Sequence, residues 1–479
     1  MRFSLTLTLS ALLMSSPGIA EESPPDELPP ASADADGPGQ DARLKLENYL
    51  IPAVEILAYE TALNLFDRNF LDSDDFDSSW STFTYNIRHG WVFDDDAYEM
   101  NQFLHPYGGS LYYAFARSAG LSFYESFLYT LAGSTIWEYA GESTRPSIND
   151  GITTTVAGTF LGEALFRISQ LILEDGEGSP GVLRELAAAA ISPPTGLNRN
   201  AFGHMFDKVD PSRSPAVYTR LSIGGLWNTH VSDRGVPDGL HRAGVIANFS
   251  IAYGQPGKPE YAYRKPFDYF RMDLEVSSIP EAILQSLLVH GLILGEKYDW
   301  GPDFRGIWGV YGIYDYISPE LFRASNTGLA VGTTFQWWLS DDVALQTSAL
   351  AGIGFGAGGT IRAQGERDYH YGVAPEAVLG LHLLLSDFAS LDLTGREYLI
   401  SGVGSDDSHG VENVVRVQLG ATVRFWRSHA VTLQYTVSRR DAYYADVLDD
   451  RHQTVGSVSL VYTLVGDPNF GAVEWREDP

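Results

Sequence analysis

No cysteine occurs among the 479 residues. That absence excludes disulfides, thiolate metal sites, a cysteine nucleophile and a lipidated N-terminal cysteine. It suits an exported chain that stays unfolded until insertion. Basic side chains are scarce: 32 Lys and Arg stand against 61 Asp and Glu, a formal net charge of −29. A phosphate-binding surface needs the opposite surplus, which argues against nucleic acid as a partner. Long uncharged apolar runs are also missing beyond the N-terminus. None reaches the roughly 20 residues of a spanning helix, so membrane insertion points to a barrel.

What is present begins with "MRFSLTLTLSALLMSSPGIA". Arg2, a short apolar run and a small-residue end predict a secretory signal over 1–20. Residues 21–42, rich in Pro, Asp, Glu and Ala without apolar periodicity, predict a disordered acidic linker. Two structural units suit the remaining length. The expected division is a helical domain over 43–210, periplasmic or plugging a barrel, a barrel over 211–466 and a tail over 467–479.

From about Ala216 the pattern has period two. In "VRVQLGATVRFW", Val415, Val417, Leu419, Ala421, Val423 and Phe425 share one face, and Arg416, Gln418, Gly420, Thr422 and Arg424 the other. A soluble sandwich alternates in the same way. Three features favour a transmembrane barrel. The strands approach the roughly 9–11 residues or more of a tilted spanning strand. Aromatics (Trp337, Trp338, Phe425, Trp426) cluster at strand ends, as in an interfacial girdle. Tight turns alternate with long polar loops, the tight ones following candidate strands six, eight and ten. Twelve strands are expected, starting near 216, 243, 266, 284, 306, 327, 342, 370, 388, 411, 429 and 453. The fourth, "ILQSLLVHGLILG", alternates poorly. The fold class is therefore α+β: a small helical domain, then an antiparallel transmembrane β-barrel of about 12 strands.

The helical region places ionisable groups on apolar helices. His105 precedes "GGSLYYAFARSAG", which carries Arg117. The next helix starts at a Ser122–Glu125 capping box. It holds Ser126, then Ser134, Glu138 and Glu142 spaced by four along one face. Pro146 and Ser147 break it before Asn149 and Asp150. The following helix carries Glu163 and Arg167, and Gly133, Ser134, Ala157, Gly158 and Gly162 permit close helix packing.

The segments "GWVFDDDAYEMNQFLHPYGGSLYYAFARSAG", "GSTIWEYAGESTRPSINDGITTT" and "GTFLGEALFRIS" resemble the bacterial family called domain of unknown function 3943. The resemblance rests on Trp91, Asp94, Asp96, Asn101, His105, Pro106, Arg117, Ser134, Trp137, Glu138, Glu142, Pro146, Ser147, Asn149, Asp150, Gly162 and Glu163. It is strong over about 80–170. The barrel shares only texture and the Tyr314-Asp315-Tyr316 triplet. The resemblance implies outer-membrane placement and no activity.

Three functions compete. The leading one is a structural or envelope-maintenance role, with Arg117 and Arg167 paired to Glu138, Glu142 or Glu163 and an Asx-turn at Asn149 and Asp150. The second is a lipid- or glycolipid-modifying enzyme. Its candidate catalytic residues are His105, Glu138, Glu142, Asp150 and Glu163, and its binding residues Asn101, Arg117, Ser134, Trp137, Asn149 and Arg167. No His-Glu-x-x-His or Gly-x-Ser-x-Gly occurs, and the spacing identifies neither metal nor cofactor. The third is a gated pore lined by Arg416, Arg424, Gln418 and Gln434. Asp94–Asp96 lacks the loop spacing of a calcium motif and reads as a solvated turn. "DVLDD" near Asp446 reads as an external loop. Outer-membrane lipids are the expected partner, and no protein partner is indicated.

Overall fold

The computed structural model describes residues 38–70, 74–94, 96–174, 180–233, 242–360, 369–402, 410–444, 450–467 and 469–476. The expected signal peptide and most of the expected linker lie outside them, as do the middles of four long loops, including the one at Asp446.

The alternating segments form twelve strands: β1 (Val217–Ser232), β2 (Ala243–Tyr253), β3 (Phe270–Ser277), β4 (Leu284–Asp299), β5 (Phe304–Ile317), β6 (Phe322–Trp338), β7 (Val343–Thr360), β8 (Tyr369–Leu385), β9 (Ala389–Ser401), β10 (Gly410–Trp426), β11 (His429–Tyr444) and β12 (Arg451–Val465). Each pairs antiparallel with its sequence neighbours, and β1 pairs with β12 to close the barrel, so no edge is left open. The tight turns after β6, β8 and β10 share one end, here the tight-turn end.

Inward side chains meet across the lumen. Arg396 of β9 donates to Asp315 of β5 at 2.8 Å. Glu275 of β3 accepts from Arg416, Gln418 and Gln434 of β10 and β11. Near the long-loop end Ile317, Phe322, Ala324, Tyr398, Ile400 and Val414 pack together. At the tight-turn end the C-terminal tail turns into the mouth. Phe470 is wholly buried against Tyr218, Trp338 and Leu384, while Gln346 and Gln336 donate to the carbonyls of Gly471 and Val473, both at 2.7 Å. Cavities of about 30 and about 50 Å³ remain between these layers. Trp338 therefore faces the tail inside the barrel and is not part of an outer girdle. Trp337, Phe425 and Trp426 are exposed.

Nine helices precede the barrel among the described residues: α1 (Pro38–Phe70), α2 (Trp80–His89), α3 (His105–Ser118), α4 (Phe123–Ile136), α5 (Ile148–Ile152), α6 (Gly158–Glu174), α7 (Val182–Ile191), α8 (Pro193–Ala201) and α9 (Gly203–Phe206). Helix α1 starts at Pro38, five residues before the expected boundary, with proline at its first position. Ser122 and Glu125 form the predicted capping box of α4. Helices α3 and α6 cross in backbone contact. A methyl group on Gly158 would lie 2.7 Å from the Gly109 backbone, and one on Gly162 2.9 Å from the Tyr113 ring.

The helices do not plug the barrel, which corrects that expectation. They stand against its outer wall. Along β5, Asp315 points inward, while Gly312, Tyr314 and Tyr316 point outward and are covered by helices. Phe160 of α6 sits over Gly312, where a methyl group would come within 2.5 Å of its ring. The poor alternation of β4 has the same cause. Leu287 and Val289 point outward under the bundle, while Leu288 packs in the lumen, so both faces are apolar.

Candidate functional site

The polar residues that the sequence suggests as one cluster form two, at opposite ends of the bundle. His105 and Arg117 lie 12 positions apart on α3, roughly 18 Å along a helix axis at 1.5 Å per residue. Asp150 and Glu163 are separated similarly along α5 and α6.

The cluster near the long-loop end is built where chain direction changes. Three π-helical turns converge there: Met100–Leu104, Trp137–Gly141 and Thr153–Ala157. Such turns displace side chains from regular helical positions. The break after α4 is held by a bridge in which Ile148 donates to the carbonyl of Val92 at 2.7 Å. Ser147 then caps α5, its hydroxyl accepting from the Asp150 amide. This serine, not an Asx-turn at Asn149 and Asp150, starts the helix.

Asp94 is the hub of this cluster. Its Oδ1 accepts from Asn101 at 2.6 Å and Asn149 at 2.9 Å, and its carboxylate is also hydrogen-bonded by Asp150. Burial pushes the Asp94 carboxyl up, but the bonds from Asp150, Asn149, Ser147 and Asn101 outweigh it and hold it below the ordinary value. His105 Nε2 lies 3.7 Å from Asp150 Oδ2. Glu138 accepts from the Ser147 amide at 2.6 Å. Glu142 accepts from the Trp137 indole at 2.8 Å, and burial raises its carboxyl to about 7. Ser134 is buried in the bundle without a hydrogen-bond partner among the described residues.

The same cluster reaches the barrel. Asn101 donates to Tyr369 and Tyr371 of β8 at 3.0 and 2.9 Å, and Asn149 to Tyr371 at 2.9 Å. Arg323 of β6 donates to Glu99 at 2.7 Å, and Ser325 to Gln102 at 2.6 Å. These barrel partners follow from no spacing in the sequence.

The second cluster lies at the tight-turn end. Glu163, with no exposure, accepts from Arg117 at 2.9 Å, Arg167 at 2.7 Å and Tyr113 at 2.7 Å. Arg117 continues to Asp210 at 3.1 Å. Arg167 continues to Asp268, in the β2–β3 connection, at 3.2 Å, and donates to the carbonyl of Pro266 at 2.8 Å. The arginines thus pair with Glu163, not with Glu138 or Glu142. Asp210 and Asp268 were not singled out in the sequence, because nothing local marks them as partners of a helix more than 40 residues away.

Chemically, the first cluster is a carboxyl–carboxylate pair beside an imidazole, and the second a closed ion network. Among the described residues, no group of three or more His, Asp or Glu side chains is placed to hold a metal ion. The inward Arg416, Gln418 and Gln434, expected to line a path, are engaged by Glu275, and Arg424 pairs with Asp387.

Residues 90–194 match the family model described as Domain of unknown function (DUF3943). No curated protein matches the chain. Similar solved structures include an outer membrane channel of Pseudomonas putida F1, at 12% identity over 54% of this chain and 100% of that one, with a TM-score of 0.27. The toluene transporter TodX of Pseudomonas putida is 9% identical over 53% of this chain and 90% of that one, with a TM-score of 0.23. The outer membrane protease OmpT of Escherichia coli is 8% identical over 52% and 96%, with a TM-score of 0.19. The barrel assignment rests on the strand pairing of this chain alone.

Proposed function

We propose that the protein is a structural component of the outer membrane, a filled barrel with a helical bundle locked to its wall. The observation that carries this is the network around Glu163. Its two arginines each reach a second carboxylate, and one of these, Asp268, belongs to the barrel. A buried charge needs such pairing to persist. The layered lumen supports the same reading, because residues that would conduct solute hold one another instead. The outward apolar residues of β9–β12, among them Leu391, Leu399, Val417, Leu419, Leu433 and Leu460, supply the belt that a bilayer requires.

The test is outer-membrane permeability to a large hydrophobic antibiotic in cells lacking the gene. A structural role predicts increased entry, restored by Asp150→Asn but not by Glu163→Gln. Unchanged entry in the deletion strain would discard it.

A second reading is favoured by one observation. Asp94, Asp150 and His105 line up as carboxylate, carboxyl and imidazole, His105 lying 3.7 Å from Asp150, with exposed Trp91 and Asp96 nearby. That set can move a proton on and off a substrate at the membrane surface. Mass spectrometry of envelope lipids compares wild type with Asp150→Asn and His105→Ala, each checked for insertion. A lipid change found only with wild type would establish acid–base catalysis. Identical lipids would leave the cluster as a tie between bundle and barrel.

A further inference from the structure

We infer that the helical bundle lies within the lipid beside the barrel, its polar side chains turned inward and its apolar ones packed against acyl chains. This rests on the outer-membrane reading and extends it to the helices, which the sequence places in the periplasm or the lumen.

The bundle has the polarity of a membrane protein. Along α1, Leu46, Leu50, Val54, Leu57, Leu65 and Phe66 are between 47 and 64% accessible, and the exposed polar residues are Thr61 and, in the last turn, Arg68 and Asn69. The acidic groups turn the other way: Glu60 is 6% and Asp67 9% exposed. Helix α4 repeats this. Tyr124, Leu128, Leu131 and Ile136 are exposed, while Ser126, Thr130 and Ser134 are buried. A helix on a water-soluble domain shows the reverse, with charge outside and an apolar stripe inside. A soluble monomer also rarely leaves so much contiguous apolar surface bare.

Dimensions agree. Leu46 to Phe66 is 20 helical steps, about 30 Å at 1.5 Å per residue, the thickness of a bilayer's hydrocarbon core. The continuous helical run Ile148–Glu174, 27 residues, is long and apolar enough to cross a membrane by length and composition, with 83% of its apolar window buried inside the protein. It runs from the Asn149–Tyr371 contact at the long-loop end to the Arg167–Asp268 contact at the other. The run is not free of charge, so the sequence alone does not mark it as a span. Its Glu163 and Arg167 neutralise each other across one turn. Aromatic residues mark both ends: Tyr49 and Tyr124 at one, Trp80, Tyr85 and Trp91 at the other, all exposed. The bundle covers the outer wall of the early and middle strands, so its outer face continues the apolar belt of β9–β12.

The absence of cysteine makes single-cysteine labelling direct. Val54→Cys on α1, Leu128→Cys on α4, Leu433→Cys on the bare barrel wall and Asp341→Cys in the β6–β7 turn each receive an environment-sensitive fluorophore. The full chain is reconstituted in phosphatidylcholine vesicles, with folding checked by heat-modified gel mobility. Bromine on the acyl chains should quench positions 54, 128 and 433, and aqueous iodide only 341. Quenching of 54 and 128 by iodide, with 433 still quenched by bromolipid, would put the bundle in water and overturn the inference while sparing the outer-membrane barrel. Quenching of 54 and 128 by neither would mean that protein covers the face, which also overturns it. Failure of bromolipid to quench 433 would overturn the barrel reading and the inference together.

Discussion

The guanidinium of Arg167, on a helix, lies 3.2 Å from the carboxylate of Asp268, in a barrel connection about 100 residues later. Arg167 also pairs with Glu163 one turn earlier on its own helix, and Glu163 pairs with Arg117. One buried carboxylate therefore organises two helices and, through Arg167, fixes them to the sheet. The attachment of the bundle to the barrel consequently depends on this carboxylate.

Replacing Glu163 with Gln leaves two buried guanidinium groups short of a counter-charge. Breaking a buried pair from one side costs about 3–5 kcal/mol. Glu163→Gln should lower the denaturation midpoint and expose α3 and α6 to protease while the barrel still migrates as folded on a cold gel. Loss of barrel mobility at the same denaturant concentration would show that bundle and barrel unfold as one unit.

Phe160 fills the place of a side chain at Gly312. Gly312→Val should push α6 off the wall, at a cost of about 1–3 kcal/mol for overpacking. Gly395 is a matched control, because nothing lies within 4 Å of a methyl group built there. Thermal unfolding followed by circular dichroism should separate Gly312→Val from an unaffected Gly395→Ala. Equal midpoints would remove Gly312 as a docking point.

Phe470 anchors the tail in the barrel mouth, yet the Arg396–Asp315 layer and the apolar layer of Phe322 and Ile400 lie beyond it. Truncation after Val465 should therefore leave conductance across planar bilayers near zero. Stable single-channel steps in the truncated protein would identify the tail as the seal and revive the pore reading.

Two titrating groups of the long-loop cluster, Asp94 and Glu142, are shifted in opposite directions. Asp94 is held below its unfolded value, so its contribution is present above about pH 4 and is lost as pH falls through the lower native value. Glu142 is raised to about 7. Its contribution is full below its unfolded value near pH 4 and is lost as pH rises towards 7. Glu142→Gln should flatten the decline in stability between about pH 5 and pH 7, read from denaturation midpoints. An unchanged slope would assign that decline to other groups.

The sequence by itself determined the strands. Period-two alternation and the alternation of tight and long connections depend only on neighbours in the chain, and they placed all twelve strand starts within about five residues of those observed. The Ser122 cap and the small residues of the α3–α6 crossing were legible for the same reason. Only the tertiary structure decided which side of the wall the helices occupy. An apolar strand face reads alike whether lipid or a helix covers it, so Tyr314 and Tyr316 gave no sign of the bundle above them. It also decided the partners of each charge. Spacing by four joined Glu163 to Arg167, but it could not reach Asp268 or divide the polar residues between two ends of a helix pair. Electrostatic pairing acts through space, and its partners lie far apart along the chain.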